Sequence, residues 1–258
     1  MSGKRTGNRV EDIAPARLAL LNSGAAEATT LTECLAVDFA ALMRATLPGI
    51  GEDAAVIMES AQGTGISKRM VLAAALVCDP LGKGAIERLQ VHPSDTVRGW
   101  ACFVIGAAQD MPLAARLEAI RPLADDHRFG VREWSWMAVR PHLAADLDQA
   151  IVHLSKWTKA PSERLRRFAC EAIRPRGVWC THIGALKQHP EKALPVLEPL
   201  RADAVPYVQD SVGNWLNDAA KDQPGWVRAL CARWIAENPD PATARICKRA
   251  LRSIDCKS

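Results

Sequence analysis

The sequence lacks the motifs by which the commonest cofactor-dependent enzymes are recognised. It contains no P-loop, no G-x-G-x-x-G turn and no G-x-S-x-G elbow, and its six histidines show no pairing typical of a metal site. Nucleotide binding through such loops, serine hydrolase chemistry and zinc chemistry are therefore not indicated. We expect no cofactor and no metal.

Long apolar runs and closely paired cysteines are also missing. No stretch approaches the roughly 18 uninterrupted apolar residues of a membrane span, and the opening MSGKRTGNRVEDIAPARL has no apolar core of a secretory signal. None of the eight cysteines forms a C-x-x-C pair. We expect a cytoplasmic protein with reduced, mostly buried cysteines and no membrane partner.

Aromatic and β-branched residues are scarce, with the exception of tryptophan. The 258 residues include one Tyr and four Phe but eight Trp, and 48% are hydrophobic. Alanine, leucine and arginine dominate, which favours helix over sheet. The net charge of +4 is too small to require nucleic acid by itself, but the basic residues are denser after residue 91, which is typical of a basic stripe.

Four segments beyond Gly84 resemble one another. Each begins with a polar or Pro-containing turn and continues into a helix through Val-Arg or a near equivalent. Arg98, Arg132 and Arg166 recur at an interval of 34 residues, and Gln209 follows 43 residues later. The segments are HPSDTVRGWACFVIGAA (92–108), DHRFGVREWSWMAVRPH (126–142), PSERLRRFACEAIRPRG (161–177) and DAVPYVQDSVGNWLNDA (203–219).

Helix pairs repeating at such an interval predict an all-α fold, a HEAT-like α-solenoid or ARM-repeat-type superhelix of stacked antiparallel helix pairs. We expect a flexible tail over residues 1–14 and one HEAT-like repeat domain over residues 15–258. Its N-terminal helical region, 15–90, is expected to form two helices between Pro15 and Leu47. Residues 91–258 form the repeats, whose second helices would line a concave surface.

The stretch LRRFACEAIRPRGVW (165–179) carries the most distinctive side chains. Arg167, Glu171 and Arg174 share one face of the predicted helix, so an acid lies between two bases. Such a face is often a solvated row of ion pairs. When the four segments are superposed, Glu133 and Asp210 occupy the position of Arg167, so the acid–base pattern recurs.

Three carboxylates, of Glu133, Glu171 and Asp210, are therefore expected on the concave surface among many guanidinium groups, which suit phosphate. Two interpretations remain open. The carboxylates can be ion pairs between repeats, such as Glu133 with Arg132 or Arg98. Alternatively, they can stabilise positive charge on deoxyribose C1′ while a glycosidic bond breaks and orient the attacking water. The arginines are Arg98, Arg132, Arg140, Arg166, Arg167, Arg174 and Arg176.

Tryptophan supplies a second kind of ligand contact. Trp179 follows a Pro and a Gly and is expected to touch a ligand. Trp134 and Trp136 are two residues apart on one helix and point apart, so we expect one of the two to face the groove. An indole face suits cationic or unstacked bases. The tryptophans expected in the core are Trp100, Trp157, Trp226 and Trp234.

At FGVREWSWMAVRP, RRFACEAIRPRGVW and YVQDSVGNWLNDA the sequence resembles the AlkC branch of the AlkC/AlkD HEAT-like alkylpurine DNA glycosylases, across residues 90–256. The resemblance implies a C-shaped solenoid that grips duplex DNA and excises cationic N-alkylated bases, such as 3-methyladenine, without flipping them. It assigns catalysis to Glu133, Glu171 and Asp210. It assigns DNA contact to Trp179, Arg167 and Arg174. The repeat pattern adds Arg132, Arg98, Arg166, Arg176 and Trp136 as DNA-binding residues.

The function expected is thus that of a monofunctional DNA repair glycosylase acting as a monomer, associated with the nucleoid when bound to DNA. The alternative is a non-catalytic HEAT-like scaffold that binds DNA or a protein partner, with the carboxylates as links between repeats. The sequence ends shortly after the last repeat, so we expect no immunoglobulin-like module of the kind that some AlkC-like proteins carry.

Overall fold

The computed structural model describes residues 9–177 and 179–255. Within these residues the regular structure is helical, with sixteen α-helices and five short 3-10 helices, and no helix is long and apolar enough to cross a membrane. The predicted all-α, HEAT-like fold class is confirmed. The first eight residues of the predicted tail lie outside the described residues, whereas Val10–Asp12 forms a 3-10 helix.

The chain divides into two compact units. The first comprises the chain up to Asp110 together with Asp126–Ala138, and the second comprises Met111–Asp125 together with the chain from Val139 onward. The predicted single repeat domain over residues 15–258 stays a prediction. The two units are described separately.

The first unit contains seven complete helices and the start of an eighth among the described residues. Short capped helices build its N-terminal half because Thr30 and Asp38 accept hydrogen bonds from backbone N–H groups of the helices that follow them. The helices are α1 (Pro15–Asn22), α2 (Leu31–Ala36), α3 (Phe39–Thr46), α4 (Glu52–Ser60), α5 (Ile66–Leu81), α6 (Ala85–Gln90) and α7 (Asp95–Ala107), followed by the first part of α9 (Phe129–Ala145).

The second unit stacks its helices in two layers. Helices α11 (Glu163–Glu171), α14 (Pro206–Ala219) and α16 (Pro241–Asp255) contact one another in sequence. Helix α10 contacts both α8 and α13. Helix α15 packs against both α14 and α16. This arrangement of paired helices is what the repeat predicts. The helices are α8 (Leu113–Ala124), the remainder of α9, α10 (Leu147–Trp157), α11 (Glu163–Glu171), α12 (Gly184–Gln188), α13 (Leu194–Leu197), α14 (Pro206–Ala219), α15 (Pro224–Glu237) and α16 (Pro241–Asp255).

Large aromatic side chains fill both cores. Trp100 is fully buried in the first unit, and Trp215 and Trp234 are fully buried in the second. Trp157 is also buried and packs on Phe168, whereas Trp226, predicted to be core, is half-buried beside Trp215. Burial of such side chains contributes roughly 1.5–3 kcal/mol each. The described cysteines are free thiols.

Candidate functional site

The repeating arginine has the same structural role in each segment. Arg98 donates from Nη1 to the carbonyls of His92 and Pro93, at 2.8 and 3.0 Å. Arg132 and Arg166 make the equivalent pair of bonds to the carbonyls six and five residues before them. Each side chain therefore folds back and fixes the turn that precedes its helix. The recurrence of arginine every 34 residues does not by itself show whether the arginines have this structural role or bind a ligand.

Two of these arginines also link their turn to a carboxylate further along the chain. In the first unit Arg98 pairs with Asp126 at 2.7 Å and with Glu27 at 2.6 Å. In the second unit Arg166 pairs with Asp203 at 2.6 Å. Asp126 and Asp203 lie within the turns themselves and provide these links, and the expected pairing of Glu133 with Arg132 or Arg98 stays a prediction.

Two predicted DNA-binding residues of the first unit are corrected by their burial. Arg98 is 6% exposed and its guanidinium is occupied by backbone carbonyls and two carboxylates. Trp136 is 4% exposed, and its indole N–H donates to Glu133 Oε2 at 2.9 Å. The reasoning that Trp134 or Trp136 must face the groove was wrong, because Trp134 is buried as well.

Trp134 explains why the first repeat carries Gly99, and no charged residue, at the position that Glu133, Arg167 and Asp210 occupy in the other three. A Cβ at Gly99 would collide with the ring of Trp134, so only glycine leaves room for this indole. Glu133, on the same helix, is half-buried and accepts the hydrogen bond from Trp136. Glu133 lies in the first unit, whereas Glu171 and Asp210 lie in the second.

Glu171 is the centre of a buried ion-paired network in the second unit. It is 5% exposed at the end of α11, where Ser211 Oγ donates to its Oε2 at 2.6 Å and Arg174 donates to its Oε1 at 2.8 Å. Arg167 Nη2 lies 3.8 Å from Oε2. Burial by itself raises the pKa of Glu171, but the charges of Arg167 and Arg174 and the Ser211 hydrogen bond lower it overall. The carboxylate is therefore ionised at neutral pH.

Arg174 connects Glu171 to a second buried carboxylate. Its Nε and Nη2 donate to Asp218 Oδ2 at 2.9 and 2.7 Å, and Asp218 also pairs with Lys221. Burial lowers the pKa of Arg174, but the charges of Glu171 and Asp218 raise it overall. Helix α11 ends at Glu171, so Arg174 reaches back from the turn instead of continuing the predicted helical face.

Asp210 differs from Glu171 in its accessibility. Its side chain is 38% exposed on α14, and its Oδ1 lies 2.7 Å from Arg245 Nη2 and 3.2 Å from Arg249 Nη1. Both arginines lie on α16. This helix approaches α14 so closely at Gly213 that a Cβ there would collide with the Arg249 side chain. Asp210 is thus an accessible carboxylate held between guanidinium groups.

The basic face of α16 was not identified from the sequence. Arg245, Lys248 and Arg252 are exposed, and Arg249 is half-buried. Arg249 and Arg252 both donate to Asn214 Oδ1 of α14. The spacing of three or four residues between these cations, which places them on one helical face, could have identified the surface.

Trp179 is the most exposed of the large aromatic side chains described, at 63%. Its φ of 61° lies in the left-handed region, which a bulky side chain seldom adopts. The preceding Gly177 has no space for a Cβ beside Arg140 and Cys180. The indole of Trp179 is therefore presented to solvent, and its contact with a ligand stays a prediction.

The remaining predicted DNA-binding arginines also have protein partners. Arg176 pairs with Asp222 at 2.9 Å, and Arg167 stacks on Tyr207, with Cζ 4.6 Å from the ring centroid. DNA contact by Arg132, Arg166, Arg167, Arg174 and Arg176 stays a prediction. Among the described residues, no cluster of three His, Cys, Asp or Glu could hold a metal ion.

Residues 130–254 match the protein family described as DNA alkylation repair enzyme. Over 137 residues the chain is 37% identical to the uncharacterized protein YhaZ of Bacillus subtilis (strain 168). The aligned region covers 53% of this chain and 37% of YhaZ. The match to the family lies in the same half of the sequence from which the resemblance was predicted.

Two solved structures share the fold. The Pseudomonas fluorescens alkylpurine DNA glycosylase AlkC, bound to DNA containing an abasic site analog, superposes with a TM-score of 0.69 at 23% identity, over 96% of this chain and 65% of that chain. AlkD2 from Streptococcus mutans superposes with a TM-score of 0.60 at 22% identity, over 78% of this chain and 97% of that one. At these identities the likeness concerns the fold.

Proposed function

We propose that this chain is a DNA glycosylase that hydrolyses the N-glycosidic bond of cationic N-alkylated bases in duplex DNA, because residues 130–254 match the family described as DNA alkylation repair enzyme. The similar fold of AlkC, described as an alkylpurine DNA glycosylase bound to DNA, supports this proposal. The chain spans 37% of the length of YhaZ and 65% of that of AlkC, so the activity is inferred from the residues that it does contain.

The observation that carries the proposal is the accessible Asp210 carboxylate between Arg245 and Arg249. A surface built only to bind a polyanion gains nothing from a carboxylate, which repels phosphate. The carboxylate does have a use when positive charge develops on a sugar beside the phosphate. The neighbouring guanidinium groups can bind the phosphates on either side of that sugar.

The reaction needs few groups because the alkylated base is already a cation. When the C1′–N bond breaks, its electron pair goes to the base, which leaves neutral, and the sugar becomes an oxocarbenium-like cation. Asp210 would stabilise this cation and orient the water that attacks C1′ and then releases a proton. The base needs no protonation, so we propose that it is excised without being flipped into a pocket.

Glu171 and Trp179 have supporting roles in this proposal. Glu171 is buried, so it acts mainly by holding Arg167 and Arg174 in place. Trp179 would contact the sugar or an exposed base face through its accessible indole. We further propose that the protein acts as a monomer in the cytoplasm, on duplex DNA that carries alkylated bases.

The test is release of free 3-methyladenine from methylated DNA under single-turnover conditions. Asp210→Asn should lower the rate about a hundredfold, or about 2.7 kcal/mol in transition-state free energy. Asp148→Asn is the matched control, because Asp148 is an exposed carboxylate paired with Lys192 on another surface. Wild-type rates in Asp210→Asn, or no base release by the wild type, would refute the proposal.

The scaffold alternative is favoured by one observation, the burial of Glu171 between two arginines. If the chain is only a scaffold and this network only connects repeats, neither the wild type nor Glu171→Gln should release base, and Glu171→Gln should lower the melting temperature. The glycosylase proposal predicts a lower rate for Glu171→Gln at a temperature where circular dichroism shows the variant to be folded. The two measurements on one variant separate the alternatives.

A further inference from the structure

Helices α11 and α14 meet through two pairs of side chains with the same spacing. On α11 the pair is Arg167 and Glu171, and on α14 it is Tyr207 and Ser211, in both cases four residues apart and hence on one helical face. Arg167 stacks on Tyr207 at 4.6 Å, and Glu171 accepts from Ser211 at 2.6 Å. The four side chains form a square across the helix interface: two sides are these contacts, and the other two are the four-residue spacings along each helix.

We propose that Tyr207 and Ser211 are positioning residues that hold the Arg167–Glu171 pair in the geometry used for base excision. Tyr207 would locate the guanidinium of Arg167, and Ser211 would locate the carboxylate of Glu171. The inference rests on the proposed function. Neither residue was singled out by the sequence pattern, although Tyr207 is the only tyrosine in the chain.

The two arginines around Glu171 are held in different ways. Arg174 donates to Glu171 at 2.8 Å and is fixed by Asp218, whereas Arg167 lies 3.8 Å from Glu171, beyond a direct hydrogen bond. Arg167 is therefore held by the ring of Tyr207 as well as by the charge of the carboxylate. Stacking uses the face of the guanidinium and leaves its N–H groups pointing outward in the plane, towards Glu171 or a phosphate oxygen.

Asp210 lies between the two α14 residues of this square, one residue before Ser211 and three after Tyr207. The same turn of helix therefore fixes the buried pair and the accessible carboxylate. A displacement of α14 against α11 would move both carboxylates, and small misplacements of reacting groups are costly for catalysis. Because they share this turn with Asp210, Tyr207 and Ser211 can affect the reaction rate through the position of α14.

Several charged or titratable groups surround Glu171, and the test must account for them. Burial raises the pKa of Glu171, while Arg167 and Arg174 lower it through their charges and Ser211 lowers it through its hydrogen bond. The other groups that interact with Glu171 electrostatically do not change in the variants below. They are Arg140, Cys170 and Cys180, with Asp218 connected through Arg174.

The experiment is an NMR titration of the Glu171 side-chain carboxyl in protein labelled with 13C-glutamate, with Glu171→Gln to assign the signal. Tyr207→Leu keeps bulk but removes the aromatic face, so Arg167 should move away and Glu171 should titrate at a higher pH than in the wild type. Tyr207→Phe keeps the face and should titrate like the wild type. Ser211→Ala should also shift the titration to higher pH.

Base release provides the second readout. We expect Tyr207→Leu to lose roughly tenfold in single-turnover rate and Tyr207→Phe to keep the wild-type rate, since stacking survives in the latter. If Tyr207→Leu does not fold, Tyr207→Met replaces it in both assays, because its flexible side chain also fills space without an aromatic face.

The outcomes distinguish this inference from the proposed function. Identical Glu171 titrations in the wild type and Tyr207→Leu, or an equal shift in Tyr207→Phe, would overturn the positioning role even if the wild type releases base. An absence of base release by the wild type would overturn the proposed function and with it the role in catalysis. A titration that shifts only in Tyr207→Leu and Ser211→Ala, with a matching loss of rate, supports the inference.

Discussion

Each of the two units holds a network of arginines and carboxylates, and the networks differ in what remains accessible. In the first unit Arg98 joins Glu27 to Asp126, and Arg128 and His127 also bind Glu27. In the second unit Arg174 joins Glu171 to Asp218, but beside this network lie the exposed Asp210 and the cations of α16. The same types of residue therefore build a scaffold in one unit and a candidate site in the other.

The difference shows that an arginine among acids is not by itself a sign of ligand binding. Arg98 and Arg174 are both largely buried, each with two carboxylate partners. What distinguishes the second unit is a carboxylate that is both accessible and flanked by cations. Experiments that separate stability from DNA binding and catalysis can therefore break or sharpen the comparison.

The largest expected effect is on stability, and it should be similar in both units. Arg174→Met leaves Glu171 and Asp218 without their shared partner, and Arg98→Met does the same for Glu27 and Asp126. Removal of one partner from a buried pair costs about 3–5 kcal/mol, so both variants should unfold at a lower urea concentration. Only Arg174→Met should also slow base release by the protein that remains folded. A loss of activity in both would remove the functional distinction between the units.

The next effect concerns DNA affinity and tests the face of α16. The double variant Arg245→Gln, Arg249→Gln should bind duplex DNA roughly tenfold more weakly, and the slope of log affinity against log salt should fall by about 2. Arg233→Gln is the matched control, because Arg233, on α15, is equally exposed in the same unit but pairs with Glu198 and Glu237. An equal change in slope for the control would mean that charge alone, and not this surface, determines binding.

The fold could be predicted from the sequence because it depends on periodic features. Helix composition and the spacing of Arg98, Arg132 and Arg166 were enough to identify HEAT-like repeats. Boundaries were less accurate, since Pro15–Leu47 forms three helices instead of two. The side chain of Asp38 caps the start of α3, so the second predicted helix is interrupted between α2 and α3.

The site could be predicted only in part, because burial is decided by neighbours that are distant in sequence. Trp179, which the sequence singled out because it follows Pro175 and Gly177, is exposed, and its contact with a ligand stays a prediction. The burial of Trp136 follows from packing that the helical period does not encode. The stacking of Arg167 on Tyr207 joins residues forty positions apart on two helices. No spacing rule along one helix identifies such a pair.

A smaller effect is expected at Trp179. Trp179→Ala removes the exposed indole and should weaken DNA binding by about 1 kcal/mol, or roughly fivefold, at the low end of values for a base stacked on an aromatic side chain. Trp179→Phe should recover part of the affinity. Val91→Ala, which shortens another highly exposed apolar side chain, is the control. Fluorescence anisotropy with labelled duplex DNA measures all three, and an unchanged Trp179→Ala would remove Trp179 from the site.

The smallest effect is a pH dependence that belongs to the scaffold of the first unit. Burial raises the pKa of Glu27, but hydrogen bonds from His127, Arg98 and Arg128 lower it overall from 4.5 to about 2. Because the folded-state pKa lies below the unfolded value, the stability that Glu27 contributes is complete above about pH 4.5 and is lost as the pH falls towards 2. The difference in urea midpoint between the wild type and Glu27→Gln should therefore shrink over this range.

Glu52→Gln is the control for this titration. Glu52 also pairs with an arginine, Arg44, and its pKa is also lowered, but its side chain is 64% exposed. Solvent screens such a pair, so its removal should change the urea midpoint little at any pH. Base release per folded molecule should be the same for Glu27→Gln and the wild type at neutral pH, because Glu27 holds turns of the first unit together. A loss of base release in Glu27→Gln without unfolding would assign the first network to function as well, and the contrast between the two units would then be one of degree.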